Sequence, residues 1–408
     1  MQLDPRPDPH PFRQFIIKIH SRCDLACRYC YLYTKTDQRW AARPRAMSAE
    51  VVEAVARRIG DHTRTHRPPW VSVVLHGGEP LLAGTERIAA VVHGIREAVD
   101  PSCEVRFGIQ TNGMRLTRDR LALLRDLGIR IGVSLDGDRP AHDRHRRRAD
   151  GSGSYRYVAA VLDELRQPEN AHVYAGLICT VDLTNDPVQV YEGLLQFRPP
   201  AVDFLLPEGN WTCPPPHRDQ RQDRMPYADW LITVFDRWYD APEQETRVRC
   251  FTDVIDVMLG GRASVVGTSL APAASIVVET DGMIEACDAL TATLPGMAAT
   301  GLSVLADPFD TALRAPLVRE RQAGIDALSE TCRGCREVRV CGGGVHSQRY
   351  RMGSGFRNPS VYCPDLLGLI THIRRRVEAD LGSLGLLASR SGSLAPEHTG
   401  GTGWRRGM

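Results

Sequence analysis

Cys23, Cys27 and Cys30 stand in the run Ser21-Arg-Cys-Asp-Leu-Ala-Cys-Arg-Tyr-Cys-Tyr31, spaced C-x3-C-x2-C. A tight loop can bring three such thiolates to three corners of a cubane [4Fe–4S] cluster and leave the fourth iron without a protein ligand. An open iron lets a cluster chelate a small molecule as well as carry electrons. A zinc knuckle or scattered structural thiols are the competing readings. Zinc prefers two pairs of ligands in a closed tetrahedron, whereas here three cysteines cluster and the next is Cys103.

Further candidates end later apolar runs. Leu75-His-Gly-Gly-Glu-Pro80 carries two glycines, which let backbone approach a ligand closely, and Glu79, whose carboxylate can accept from an ammonium group. Gln110-Thr-Asn-Gly113 and Ser134-Leu-Asp-Gly137 offer small polar groups suited to ribose hydroxyls and a carboxylate. Ordinary turn chemistry is the alternative for both. His142-Asp-Arg-His-Arg146-Arg-Arg148 is dense in cations, and a solvated or nucleic-acid-binding patch is its plain reading.

Together these motifs resemble the radical S-adenosylmethionine (SAM) enzymes. The resemblance implies that the open iron at Cys23, Cys27 and Cys30 holds the amino and carboxylate groups of SAM. One electron then cleaves SAM to a 5′-deoxyadenosyl radical. Gly77, Gly78 and Glu79 would meet the SAM amino group. Arg146, in the family's His-Asp-x-x-Arg pattern, would help to hold the carboxylate. Gln110, Asn112 and Ser134 would share the same rim, Tyr29 would lie near the adenine, and Leu206 would pack on the adenine face.

A second constellation is Cys332-x2-Cys335-x5-Cys341 followed by Cys363. On spacing alone, zinc and an iron–sulfur cluster compete closely. Pairing with the first loop favours iron–sulfur, and the arrangement resembles the SPASM extension of peptide-modifying radical SAM enzymes. That implies one auxiliary [4Fe–4S] cluster on Cys332, Cys335, Cys341 and Cys363. The full pattern builds a second auxiliary cluster. Its Gly-x4-Cys element is present as Gly282 to Cys287, but Ser269 and Val345 stand where two of its thiols belong. One auxiliary cluster is therefore expected. Cys213, Cys250 or His346 could complete another, with no signal in their favour. Cys103 and Cys179 lie in apolar runs and read as small core residues.

The local wording sharpens the resemblance. The stretches 15–30, 75–82 and 300–304, and above all Cys341-Gly-Gly-Gly-Val-His with Arg349-Tyr-Arg to Val-Tyr-Cys363, resemble the FxsB-type peptide maturases. The likeness runs from about Phe15 to Ala379. It implies modification of a ribosomally made precursor peptide by joining an aromatic ring to the β-carbon of a residue two positions on, a three-residue cyclophane. Asp288, directly after Cys287, would act as general base, with Asp203 a weaker candidate. An electron donor such as flavodoxin or ferredoxin would be needed. Within the class, formylglycine formation and thioether formation are rivals. Outside it, the rival is a non-catalytic peptide-binding protein that keeps metal for structure only.

These residues need a scaffold. From 15 to 207, six short apolar runs (15–19, 71–75, 105–110, 129–135, 173–181, 202–206) alternate with amphipathic stretches, of which 47–55 opens with a capping pattern. Alternation of this kind predicts a parallel sheet with crossover helices. Six units make a partial (β/α)6 TIM-like barrel, with its site at the carboxyl ends of the strands. The expected divisions are a flexible arm over 1–12, the barrel over 13–207, a connector over 208–249 with a helix at 227–239, a SPASM-type domain over 250–384 and a disordered tail over 385–408. No room is expected before the first strand for a separate leader-binding domain.

Composition sets the class of partner. Apolar residues make up 42% of the 408 and charged residues 25%, as in a soluble globular protein. Lys plus Arg (51) nearly cancels Asp plus Glu (49), so a net charge of +2 argues for neither nucleic acid nor membrane. No apolar run spans a bilayer, and the first residues lack the core of a signal peptide. Twelve cysteines without an export signal point to reduced thiols, metal binding and a cytoplasmic location.

Overall fold

The structure, a computed structural model, describes residues 8–218, 224–263 and 267–383. The predicted runs form strands β1 (Gln14–His20), β2 (Trp70–Gly77), β3 (Glu104–Thr111), β4 (Arg130–Ser134), β5 (Tyr174–Thr180) and β6 (Ala201–Leu205). Each pairs in parallel with the next. Register follows the apolar alternation. Phe15 faces Val73 and Ile17 faces Leu75, and all four side chains are fully buried. Complete burial of one such side chain contributes about 1.5–3 kcal/mol.

The crossover helices are α1 (Ala49–His66), α2 (Thr85–Ala98), α3 (Arg118–Asp126), α4 (Arg139–His145), α5 (Tyr155–Leu165) and α6 (Pro187–Leu195). Ser48 caps α1 by accepting the Val51 N–H at 3.2 Å. The Val51, Val55 and Ile59 stripe of α1 turns to the core. Helix α4 was not anticipated, although Asp138 accepts the Ala141 N–H as its cap and Pro140 opens its first turn. The run of arginines there hid a short helix.

The sheet does not stop at β6. Its order is β10-β9-β8-β1-β2-β3-β4-β5-β6-β7. Here β7 is Arg247–Val248, β8 Ser275–Val278, β9 Met283–Glu285 and β10 Ala299–Ser303. β8 lies parallel to β1, with Gln14 opposite Ser275 and Ile17 opposite Val278. β1 is thus an interior strand, flanked by β2 and by a strand some 260 residues later. The far half of the chain is joined to the barrel through the strand that leads into the cysteine triad.

Within the 208–249 stretch, helix α7 (Pro226–Tyr239) runs as expected and packs against a C-terminal helix, Cys363–Ser383, that begins at a candidate ligand. Of the arm expected over 1–12, residues 8–12 are described and are held in place. The His10 N–H donates to Gln322 Oε1 at 3.0 Å, and Phe12 is fully buried against Phe309 and His62. The expectation for 385–408 lies outside the described residues. Among the described residues no helix is long and apolar enough to cross a membrane.

Candidate active site

The triad loop leaves β1 and is strapped to the segment after α4. The Ala26 N–H donates to Arg147 O at 2.7 Å and the Arg28 N–H to His145 O at 3.3 Å. The Thr34 hydroxyl closes the loop on Cys30 O at 2.7 Å. Leu25 N–H and Asn112 Nδ2 lie 3.4 and 3.5 Å from Cys23 Sγ. Burial pushes the Cys23 thiol up to about 12 and Cys27 up to about 11. Loading this loop with metal must therefore release protons.

The glycines of the Leu75–Pro80 turn are steric necessities. A Cβ on Gly77, whose φ is +137°, would stand 2.0 Å from His20 O. One on Gly78 would stand 1.8 Å from the Tyr33 hydroxyl and 2.5 Å from Arg22 O. Only glycine lets the end of β2 press against the triad loop.

A cavity of about 400 Å³ opens beside the loop. Cys23, Cys27 and Cys30 are on its wall, as are Gly77, Gly78 and Tyr29. Gln110, Asn112, Ser134, Arg146 and Leu206 are there too, so of the cofactor contacts predicted from the sequence all but Glu79 line the cavity. Gln110 Nε2 donates to Ser134 Oγ at 3.1 Å, and Asn112 Nδ2 to Asp24 Oδ1 at 2.9 Å. Asp136 ties the far side. It accepts from Arg146 Nε at 3.0 Å, from the Thr180 N–H at 3.0 Å and from the Tyr29 hydroxyl. The Arg146 guanidinium lies 5.5 Å from the Tyr29 ring centre. Burial works against the charge on Arg146, but Asp136 outweighs it and holds the guanidinium firmly protonated.

Glu79 is placed differently from its expected role. It is fully buried behind the two glycines, not on the cavity wall. Its carboxylate accepts from Leu81 N–H (3.0 Å), Thr111 Oγ1 (2.7 Å) and Asn112 N–H (2.8 Å). Burial raises its carboxyl to about 7 despite those donors. The observed work of Glu79 is to lock the ends of β2 and β3 together.

Asp288 is likewise one side chain back from the cavity. Tyr31 and His76 are on the wall. The Tyr31 hydroxyl donates to Asp288 Oδ2 at 2.8 Å, and His76 Nδ1 is 3.9 Å from the same oxygen. Lys18 Nζ forms an ion pair with Asp288 and lies 2.6 Å from Glu279 Oε1. Burial alone would raise the Asp288 carboxyl, but Lys18 and His76 hold it below its usual value. It is a carboxylate at neutral pH and can accept a proton. Asp203, the weaker candidate, is paired with Arg249.

Sequence reasoning missed four of these groups. Lys18 signalled itself as the one charge inside the apolar run 15–19. Tyr31 closes the triad run, and Asp136 sits in the Ser134–Gly137 turn. Glu208, just past β6, lines the cavity and accepts from Ser347 Oγ at 3.1 Å. Burial pushes its carboxyl up to about 7. Nothing in the spacing of Glu208 announced it.

The second cysteine set converges as expected. Cys332, Cys335 and Cys363 all act electrostatically on Cys341, whose thiol accepts from Gly343 N–H and is pushed by burial up to about 12. Cys341 also reaches the main cavity. Among the described residues no three cysteine sulfurs come within 4.8 Å of one another. Tetrahedral zinc would draw its sulfurs to roughly 3.8 Å, closer than either set holds three of them. The triad loop also encloses a space of about 370 Å³ lined by all three thiols. Three thiols beside a cavity suit a [4Fe–4S] cluster with one open iron at Cys23, Cys27 and Cys30, and the four thiols of the C-terminal set offer enough ligands for a second cluster.

Ser269 and Val345 face each other's segments at short range. A Cβ on Gly267 would lie 2.7 Å from Val345 Cγ2, and one on Gly342 would lie 1.8 Å from Ser269 O. Ser269 borders a space of about 50 Å³, whereas Val345 is on the wall of the main cavity. Cys250 lines the main cavity, Cys213 is exposed, and His346 is turned to Arg349. Cys103 and Cys179 are buried, as core residues are.

Residues 17–173 match the Radical SAM superfamily. Among curated proteins, the cysteine-type anaerobic sulfatase-maturating enzyme of Clostridium perfringens (strain 13) is 23% identical over 364 residues, covering 86% of this chain and 94% of that one. The serine-type enzyme of Klebsiella aerogenes is 26% identical over 354 residues, 84% of this chain and 82% of its own. Among solved structures, native anSMEcpe with bound AdoMet and Cp18Cys peptide superposes with a TM-score of 0.76 at 20% identity, covering 91% of this chain and 99% of that one. Streptococcus suis SuiB bound to precursor peptide SuiA gives 0.57 at 14%, with 86% and 76% covered. At these identities the structural likeness speaks for the fold.

Proposed function

We propose that this chain, whose residues 17–173 match the Radical SAM superfamily, is a maturase of a ribosomally made precursor peptide, forming a carbon–carbon crosslink between an aromatic ring and the β-carbon of a nearby residue. The observation that carries the peptide reading is the cavity. It runs from the triad past Leu206 and Glu208 to Cys341 and Gln348, so one space touches both cysteine sets. When loaded, the triad's cluster and AdoMet supply a carbon-centred radical that takes a hydrogen atom, and the auxiliary cluster supplies a place for the released electron.

The chain's own residues divide the remaining work. Gly77 and Gly78 give AdoMet room against the loop. Arg146, fixed by Asp136, presents a permanent cation to its carboxylate. Gln110, Asn112 and Ser134 offer the ribose hydrogen-bonding partners, and Tyr29 and Leu206 give faces for the adenine. Asp288, kept ionised by Lys18, takes the proton that the ring must lose to regain aromaticity. Tyr31, hydrogen-bonded to Asp288 and exposed to the cavity, is the path for that proton.

Formylglycine formation is the second reading, favoured by the sulfatase-maturating relatives. Ser269 and Val345, standing where two thiols of a second auxiliary cluster belong, support the crosslink over the formylglycine reading. The deciding experiment treats candidate precursor peptides with the reduced holoenzyme. A crosslink removes two hydrogens, leaves no carbonyl for hydrazine to trap and suppresses fragmentation within the ring. A product that forms a hydrazone, or one with added oxygen, overturns the crosslink. Absence of 5′-deoxyadenosine would favour a non-catalytic peptide binder instead.

A further inference from the structure

The second cysteine set has a cation that nothing in the described structure neutralises at hydrogen-bonding distance. Arg349 is 6% exposed, and its Nε and Nη1 have no hydrogen-bond partner. Its Nη2 is spent on His346 Nδ1 at 2.9 Å, and that ring is stacked on Phe356 with centres 4.2 Å apart. The guanidinium is therefore held from one side, with the N–H groups of two nitrogens left over. A buried guanidinium without acceptors is costly and calls for an anionic partner.

Nη1 lies beside the turn that follows Cys341. A Cβ on Gly343 would stand 3.7 Å from Arg349 Nη1, and Gly343 is the residue whose N–H reaches the Cys341 thiol. Gly342, Gly343 and Gly344 all have positive φ, at 61°, 80° and 71°. That turn brings backbone, Cys341 and guanidinium together without intervening side chains. Burial pulls the Arg349 guanidinium below its usual value, while Cys332, Glu320 and Cys341 act to keep it charged.

We propose that Arg349 is the positioning residue of the auxiliary cluster: its unpartnered Nε and Nη1, with Nη1 beside the Gly342–Gly344 turn, supply a cation and N–H donors that raise the cluster's reduction potential. This rests on the auxiliary-cluster reading above. The physical basis is that an electron added to an already anionic cluster is favoured by a nearby cation and by N–H donors to sulfur. Arg349 thereby makes the auxiliary cluster a better electron acceptor than its four thiolates alone would. His346, just after the position where a second auxiliary cluster would find a thiol at Val345, holds the guanidinium in place.

The test is a redox titration of the reconstituted holoenzyme followed by electron paramagnetic resonance, with iron counted in every sample. Wild-type protein is expected to hold about eight irons. Only four would remove the auxiliary cluster itself and with it the premise, a failure distinct from that of Arg349. With eight irons present, Arg349→Gln is expected to shift one midpoint to more negative potential and leave the triad cluster's midpoint in place. Arg349→Lys should recover part of the shift. Two unchanged midpoints in Arg349→Gln overturn the proposal. If Arg349→Gln loses four irons, retention of them in Arg349→Lys supports the charge role, and loss in both variants overturns it in favour of simple packing.

Discussion

The two cysteine sets share one kind of ligand and differ in what stands around the sulfurs. The first set offers three thiols and opens onto a cavity of about 400 Å³ whose mostly apolar wall carries, beside the triad, polar groups tied through Asp136, Gln110 and Asn112. The second offers four thiols, with Cys332 buried and a buried arginine alongside. Three ligands beside a cavity leave the metal free to bind a reactant. Four ligands beside a cation leave it free only to pass electrons. Ligand count and surroundings, not cysteine spacing alone, separate the two jobs.

The comparison breaks most decisively at the ligands. Cys27→Ala should abolish 5′-deoxyadenosine formation and remove about four irons. Cys341→Ala should remove about the same number and still cleave AdoMet while yielding no modified peptide. Iron analysis and chromatography of the nucleoside read both outcomes. Equal loss of AdoMet cleavage in the two variants would show that the sets are not functionally distinct.

Next in size is the proton acceptor between them. Asp288→Asn should lower peptide product by about 10²- to 10⁴-fold, the usual worth of a general base, with AdoMet cleavage retained. A smaller effect belongs to Tyr31→Phe. Removing one hydrogen bond to an ionised carboxylate should slow product formation on the order of tenfold. Asp288→Asn with wild-type product yield would move the base elsewhere on the cavity wall.

The smallest effect is on stability and its dependence on pH. Glu79 and Glu208 both have carboxyls raised to about 7 by burial. Between the usual carboxylate range and that value, the folded chain keeps protons that the unfolded chain has lost. Stability therefore falls as pH rises through the window and levels off above it. Glu208→Gln should reduce the decline by that residue's share, read as melting midpoint against pH. An unchanged slope would show that Glu208 is solvated in the cavity.

Much of this was legible in the residues. The six apolar runs became β1 to β6 because short apolar runs separated by amphipathic stretches match a parallel sheet joined by crossover helices. Nearly every cofactor contact proposed from strand-ending motifs is on the cavity wall, since a parallel sheet gathers all its carboxyl ends at one rim. What was not legible depends on distant pairing or on direction. β8 beside β1 joins segments far apart in sequence, and nothing in Ser275–Val278 names its partner. Glu79 lies one layer deeper than its motif suggested, because three neighbouring donors had already claimed its oxygens. Arg349 looked like one arginine among many until the space around it could be seen.

The seating of β8 against β1 has a consequence for how the protein comes into being. A ribosome releases β1 first, yet one edge of that strand stays unpaired until residue 278 has emerged. Long-range pairing of this kind is slow to form and leaves a strand edge open to wrong partners meanwhile. The triad loop hangs from that same strand. Its three thiols are therefore in the chain long before the sheet around them is complete, and the natural moment for iron to arrive is after synthesis, once the far half has docked.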